Sequence, residues 1–292
     1  MEIRTAELGE LQQQMKNALQ HLYPERELKG IIAALFSHLT GFSTAQLVLQ
    51  KNRKLSESEI LFLQRALKRL LKYEPVQYIT GKAFFFGYEI YVNKDVLIPR
   101  PETEELVDWI INDNITTKKL EILDIGTGSG CIAISLKKKL PMADIHAMDI
   151  SEAALTIARQ NAGVNDVEIG FLHGSILEEP TRSGLGSYDL IVSNPPYVTP
   201  ADREKMLPNV TDFEPAIALF VEDDPLLFYR EIINFCEGHL NGEGYLYFEC
   251  NEAYADQVAE LLDKAGFKEV EVRKDMQGKK RMIKAIKPGR FE

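Results

Sequence analysis

The stretch ILDIGTGSGCIAISL, residues 122–136, runs from an apolar strand into three closely spaced glycines and out into a helix. LEILDI (120–125) has the continuous apolar character of a buried strand, and CIAISLKKKL (131–140) repeats its apolar residues at helical spacing. Strand, glycine turn and helix in that order open a parallel α/β sheet. The chain then keeps alternating: DIHAMDI (144–150), EAALTIARQNA (152–162), VEIGFL (167–172), YDLIVS (188–193), PLLFYREIINFCEGHL (225–240), GYLYFE (244–249) and YADQVAELLDKAG (254–266). Right-handed βαβ units with helices on both sheet faces follow from this order. FKEVEVRKD (267–275) and RMIKAIK (281–287) read as two further strands joined at a short turn.

Upstream the texture differs. Leu8, Leu11, Met15, Leu19 and Leu22, then Ile31, Ile32, Leu35, Phe36 and Leu39, recur at helical spacing, and SESE at 56–59 sets a capping serine before the stripe Ile60, Leu63, Leu67, Leu70. A helical domain is expected over residues 1–74. EPVQYITGKAFFFGYEIYVNKDVLIPRP (74–101) is aromatic, β-branched and glycine-punctuated, which predicts a β-hairpin linker over 75–101 and a catalytic domain over 102–292.

Composition narrows the function classes. With 292 residues, 45% hydrophobic and 27% charged, the chain has the make-up of a globular enzyme. The opening MEIRTAELGE is polar and charged, and no apolar run approaches the roughly 20 residues of a membrane span. A cytoplasmic protein without membrane contact is expected. Cys131, Cys236 and Cys250 share no paired spacing and read as buried fillers, and the five histidines lack metal-ligand spacing, so no metal is expected. A net charge of -10 argues against stable nucleic-acid binding, although Lys137, Lys138 and Lys139, or Lys279, Lys280 and Arg281, could form a local basic patch. Their alternative is a solvated helix end and a hairpin turn.

The glycine loop is a candidate cofactor cradle made by Gly126, Thr127, Gly128, Ser129 and Gly130. Glycines permit positive φ and close approach of a ligand, while the following helix start offers free N–H groups. Its G-x-G-x-G spacing departs from the dinucleotide fingerprint. Asp149, at the end of the next strand, can accept from both ribose hydroxyls of an adenosine cofactor; Ser151 is the better cap for the helix after it. Ser175 and Ile176, after the third strand, fall where an adenine ring would rest.

YDLIVSNPPYV (188–198) carries the acceptor chemistry. Two consecutive prolines stiffen the backbone and remove two donors, so the Asn194 side chain and backbone carbonyls face the ligand as acceptors. Such a site suits a planar NH2 group: the Asn194 amide oxygen and the Pro195 carbonyl accept its two hydrogens, Pro196 holds the turn, and Tyr197 lies against the planar face. Methyl transfer from a sulfonium to that nitrogen needs positioning more than acid–base help.

The sequence resembles the HemK/PrmC family of peptide-chain release-factor methyltransferases. The resemblance rests on EPVQYITGKAFFFG (74–87), VLIPRPETEELV (96–107), ILDIGTGSGCIAISL, YDLIVSNPPYV, FEPAIAL (213–219) and KDMQGKKR (274–281). It implies a class I S-adenosylmethionine-dependent methyltransferase fold, with a mostly parallel seven-stranded sheet, behind a helical N-terminal domain that docks the substrate. It implies S-adenosylmethionine as cofactor, class-one release factors as partners, and the glutamine of their Gly-Gly-Gln motif as acceptor. By position it assigns Gly126 to Gly130, Asp149, Ile176 and Asn194 to the cofactor, and Asn194 to Tyr197 to the glutamine. Phe86, Arg100 and Glu102 would shape the same pocket or else pack between domains. The run Glu249, Cys250, Asn251, Glu252, Ala253, Tyr254 departs from the family's E-x-G-x-x-Q, and Ser175 stands where an acidic residue is common. An exocyclic adenine amine in DNA or RNA would satisfy the same four acceptor residues and is the competing substrate.

Overall fold

The computed structural model describes residues 6–114, 119–203, 206–222 and 224–289; the first five residues of the polar opening lie outside them. The chain divides into two compact units, Met1–Gly81 and Lys82–Glu292.

In the first unit, helices Leu8–Leu19, Glu25–Thr40, Thr44–Leu49, Glu57–Leu70 and Val76–Thr80 share one core. Leu8, Leu11, Met15 and Leu19 bury one face of the first helix, and Leu28, Ile31, Ile32, Leu35 and Phe36 one face of the second. Ser56 and Glu59 form a reciprocal capping box, the serine hydroxyl accepting from the Glu59 N–H while the Glu59 carboxylate accepts the Ser56 N–H at 2.6 Å.

The segment expected as a hairpin over 75–101 is only partly strand. Pro75 starts a short helix, Val76–Thr80, which Gly81 closes in the left-handed region at φ +71°, so the unit boundary falls at Gly81 and not before Pro75. Strands β1 (Lys82–Phe85) and β2 (Tyr88–Tyr91) then pair antiparallel. The residues after β2, with Pro99 and Pro101 lacking donors, form no strand before the helix Pro101–Asp113.

The second unit is built on a seven-stranded sheet: β3 (Glu121–Ile125), β4 (Asp144–Asp149), β5 (Gly170–His173), β6 (Tyr188–Ser193), β7 (Leu240–Glu249), β8 (Lys268–Lys274) and β9 (Lys280–Ile286). Its order is β5-β4-β3-β6-β7-β9-β8. The β3–β4, β4–β5, β3–β6 and β6–β7 pairs are parallel, while β9 runs antiparallel to both β7 and β8. Strand β5 begins three residues later than VEIGFL suggests, because Asp166 adopts φ +51° and the Val167 N–H closes back on the Ala162 carbonyl, which uses those residues to end the preceding helix.

Sheet register places the site. Ile125 lies opposite both Met148 and Ser193, and Ser193 lies opposite Phe248. Gly126, Asp149, Asn194 and Glu249 therefore sit at the carboxyl ends of four adjacent strands, along one edge of the sheet. The strand order reverses at β3, and the crevice beyond the carboxyl ends of strands at such a reversal is where open α/β sheets bind ligands. Beneath it, Leu123, Ile125, Ile191, Leu246 and Phe248 pack with Tyr229, Ile232 and Phe235 of the helix Leu227–His239 in one buried cluster, a rigid floor.

Candidate active site

The glycine loop is held from both sides. Gly126 and Thr127 donate to the Met148 carbonyl at 2.8 and 3.0 Å, and the Gly128 N–H donates to Asp149 Oδ2 at 2.8 Å. Gly126 and Gly128 have φ of +75° and +55°, and a Cβ on either would meet no atom within 4 Å: both face open space. Gly130 differs. Its φ of +81° starts the helix Cys131–Lys139, and a Cβ there would come 3.2 Å from that of Ala158. Thr127 spends its hydroxyl on Asp124 Oδ2 at 2.6 Å.

Asp149 Oδ1 accepts the Ser151 N–H at 2.9 Å, while Ser151 itself caps the next helix through Ala154. Both carboxylate oxygens thus accept backbone N–H groups, with the Ile150 N–H also turned to the carboxylate, and lone pairs remain for a ligand's hydroxyls. Burial pushes the Asp149 carboxyl upward, opposed by the Ser151 and Gly128 N–H groups. An open glycine cradle, a carboxylate with spare acceptor capacity and the apolar side chains of Ile150, Ile176 and Leu177 line one continuous cavity. That donor and acceptor set fits an adenosine-bearing ligand.

Across the cavity stands a wall made of three segments distant in sequence. Asn194, Pro195 and Pro196 come from the end of β6, Val96, Leu97, Pro99, Arg100 and Thr103 from the PRPETE region, and Ile217 and Ala218 from FEPAIAL. Glu214 joins the last two: its buried carboxylate takes the Arg100 guanidinium and the Ile98 N–H. The Val198 N–H donates to the Leu219 carbonyl at 2.9 Å and the Val221 N–H to the Val198 carbonyl at 3.0 Å, tying the proline turn to the same segment.

Behind Asn194 lies a second carboxylate. Glu249, at the end of β7, is 2% exposed. Its Oε2 accepts the Thr103 hydroxyl at 2.6 Å, and the Asn194 Nδ2 donates to that hydroxyl oxygen at 3.4 Å. Burial pushes the Glu249 carboxyl up to about 7, against the pull of the Thr103 hydroxyl and the Arg281 guanidinium. Asp124 is pushed up to about 7 for the same reason.

The structure thus brings Gly126, Thr127, Gly128, Ser129, Asp149, Ser175, Ile176, Asn194, Pro195, Pro196 and Arg100 around one cavity, and does not bring Gly130, Tyr197, Phe86 or Glu102 to its wall. Tyr197 packs against the core cluster that contains Tyr229 and Phe248, because the turn after two prolines directs its ring inward. Phe86 takes φ +50° in the β1–β2 turn, with its N–H on Glu104 and Lys139 over its ring. Glu102 accepts from the Gln277 side chain. The three cysteines are buried. Lys137 donates to the Pro141 and Ala143 carbonyls, and Lys279, Lys280 and Arg281 pair with Glu252, Asp256 and Asp275. Among the described residues no helix is long and apolar enough to cross a membrane, and no cluster suits a metal ion.

The PrmC N-terminal domain family matches residues 10–81, and the methyltransferase small domain family residues 104–210. The release factor glutamine methyltransferase of Flavobacterium psychrophilum is 44% identical over 275 residues, covering 93% of this chain and 96% of that protein. That of Bacteroides thetaiotaomicron is 43% identical over 272 residues, covering 93% and 97%. The chain belongs to the release factor glutamine methyltransferase family. As a member it is an S-adenosylmethionine-dependent methyltransferase. Its fold is also that of the hMettl16 catalytic domain, at 18% identity and a TM-score of 0.55 over 81% of this chain and 84% of that one. A methyltransferase from Pyrococcus furiosus, also at 18%, gives a TM-score of 0.51 over 77% and 98%.

Several residues that build this methyltransferase's cavity carry no local sequence signal. Asn161 is fully buried and donates to the Ser129 and Tyr91 carbonyls at 2.9 Å while accepting the Tyr91 N–H, so it pins the glycine loop to β2. A lone asparagine on an apolar helix face was the available hint. Thr103 and Glu249 gave less, since each stands in an otherwise ordinary helix start or strand end.

Proposed function

We propose that this chain methylates the side-chain amide nitrogen of the glutamine in the Gly-Gly-Gln motif of class-one release factors, with Asn194 and Pro195 as its acceptor clamp. The observation that carries the assignment is the direction of the Asn194 amide: its NH2 end is engaged by Thr103, which leaves Oδ1 for an N–H outside the protein. Gly126, Gly128, Asp149 and Ile176 hold the cofactor. When bound, S-adenosylmethionine supplies an electrophilic methyl group on a sulfonium. The protein's own contribution is to fix the acceptor nitrogen and strip it of water. Asn194 Oδ1 and the Pro195 carbonyl each accept one amide hydrogen, which orients the nitrogen and raises its electron density. Arg100 shapes the wall through Glu214, and Tyr197 supports the proline turn from the core. The unit Met1–Gly81 docks the body of the release factor, the reaction runs in the cytoplasm, and no stable nucleic-acid complex forms.

The test is mass spectrometry of a release factor and of a DNA duplex, each incubated with the enzyme and labelled cofactor. Methyl on the Gly-Gly-Gln glutamine is expected, with none on a release factor carrying alanine there. Methyl on adenine and not on the release factor would overturn the assignment.

A further inference from the structure

Thr103 Oγ1 carries one hydrogen, and that hydrogen goes to Glu249 Oε2 at 2.6 Å. Above about pH 7, where Glu249 is ionised, the carboxylate can only accept, so the bond runs from Thr103 to Glu249. What Thr103 offers Asn194 is therefore a lone pair, and Asn194 meets it with Nδ2 at 3.4 Å. The Asn194 side chain also pulls the Glu249 carboxyl downward, as an N–H near a carboxylate does.

We propose that Glu249, acting through Thr103, is the positioning residue that fixes the Asn194 amide with its oxygen toward the acceptor. The inference rests on the acceptor clamp proposed above. Shape alone cannot make this choice: the O and NH2 ends of an amide are nearly isosteric, so a half-turn of the side chain fits the same space. Turned the wrong way, Asn194 would present N–H donors to an acceptor that also brings N–H donors, and it would set its own oxygen against a buried carboxylate. Polarity decides, and Glu249 sets the polarity. Both relay members sit on rigid elements. Thr103 is in the first turn of the helix Pro101–Asp113, and Glu249 is paired with Met282 of β9 while its carbonyl accepts the Tyr229 hydroxyl.

Glu249→Gln breaks the relay without changing its shape. A glutamine can turn its own NH2 to Thr103, which frees the Thr103 hydroxyl to donate to Asn194 and reverses the clamp. With a release factor as substrate at pH 8, where Glu249 is ionised, single-turnover methyl transfer by Glu249→Gln and by Thr103→Val is expected to fall about 10- to 100-fold, with cofactor affinity within about threefold of wild type. Thr103→Ser keeps the hydroxyl and is expected to recover most of the rate lost in Thr103→Val. On an Asn194→Ala background, Glu249→Gln should cost nothing further, because the amide it orients is gone. Wild-type transfer by Glu249→Gln would overturn the inference, as would an equal loss in both backgrounds, which marks a purely structural role. Wild-type transfer by Asn194→Ala alone would instead sink the clamp on which the inference rests.

Discussion

Two buried carboxylates, Asp124 and Glu249, sit at the ends of strands β3 and β7, and each receives a threonine hydroxyl at 2.6 Å. Burial pushes both up to about 7. Their threonines stand three residues away in one case and 146 in the other. Asp124 holds Thr127 and so braces the glycine loop from within a single turn of chain. Glu249 reaches Thr103 across the fold and meets Asn194 on a third segment. One unit of chemistry is used twice: locally where a loop needs stiffness, and over long range where an amide needs a direction.

If the acceptor half works through direction, its loss should appear in the rate and not in cofactor binding. Asn194→Ala is expected to lower the single-turnover rate by about 100-fold, combining an unpaired acceptor N–H with misorientation, while calorimetric cofactor affinity changes by less than about threefold. Asp149→Ala should do the reverse. It removes a charged acceptor from the cofactor side and is expected to weaken cofactor affinity about 10- to 150-fold by calorimetry, with a much smaller change in rate at saturating cofactor.

Within the cofactor half, the glycines separate backbone from packing. Gly130→Ala forces a Cβ to 3.2 Å from that of Ala158 at φ +81°, so chemical denaturation should show a loss of about 1–3 kcal/mol. Gly126→Ala meets no neighbour and should cost only about 1–2 kcal/mol of left-handed backbone strain, while its methyl group, projecting into the cradle, lowers cofactor affinity.

The smallest effect separates the two carboxylates by pH. Glu249 titrates in the folded protein at about 7, above its ordinary 4.5, so the stability it contributes is fully present below 4.5 and is lost as pH rises through about 7. Glu249→Gln abolishes that dependence while Asp124 keeps its own. The melting temperature of Glu249→Gln relative to wild type should therefore rise between pH 5 and pH 8; a difference that is flat or falls over that range would contradict the assignment.

The same contrast governs what could be read from the sequence. The alternation from LEILDI to YDLIVS carries the sheet, and Gly126, Asp149 and Asn194 could be placed at one edge because each ends a strand that its own neighbours define. The cofactor half is contiguous, so periodicity and turn chemistry reach it. The acceptor half depends on Arg100 with Glu214, and Thr103 with Glu249, pairs 114 and 146 residues apart that no local pattern connects. Tyr197 and Phe86 lie off the cavity wall for a related reason. An aromatic residue beside a functional turn is as well suited to anchoring that turn as to touching a ligand, and only packing distinguishes the two. Strand pairing covers only part of 75–101 because β-branched and aromatic residues also fill a short helix once Pro75 starts it and Gly81 stops it.

Strand β9 lies between β7 and β8, although it follows both in the chain. The Cys250 N–H, next to Glu249, donates to the Arg281 carbonyl of this strand, and Arg281 returns a bond to the Cys250 carbonyl. A nascent chain can pair β3, β4, β5 and β6 as soon as residue 193 is free of the ribosome, but Glu249 gains its outer neighbour only when β9 arrives. At about 5–20 residues per second the interval between these events is roughly 5–20 s. The glycine cradle can therefore form on the nascent chain seconds before the side of the pocket that orients Asn194 is complete.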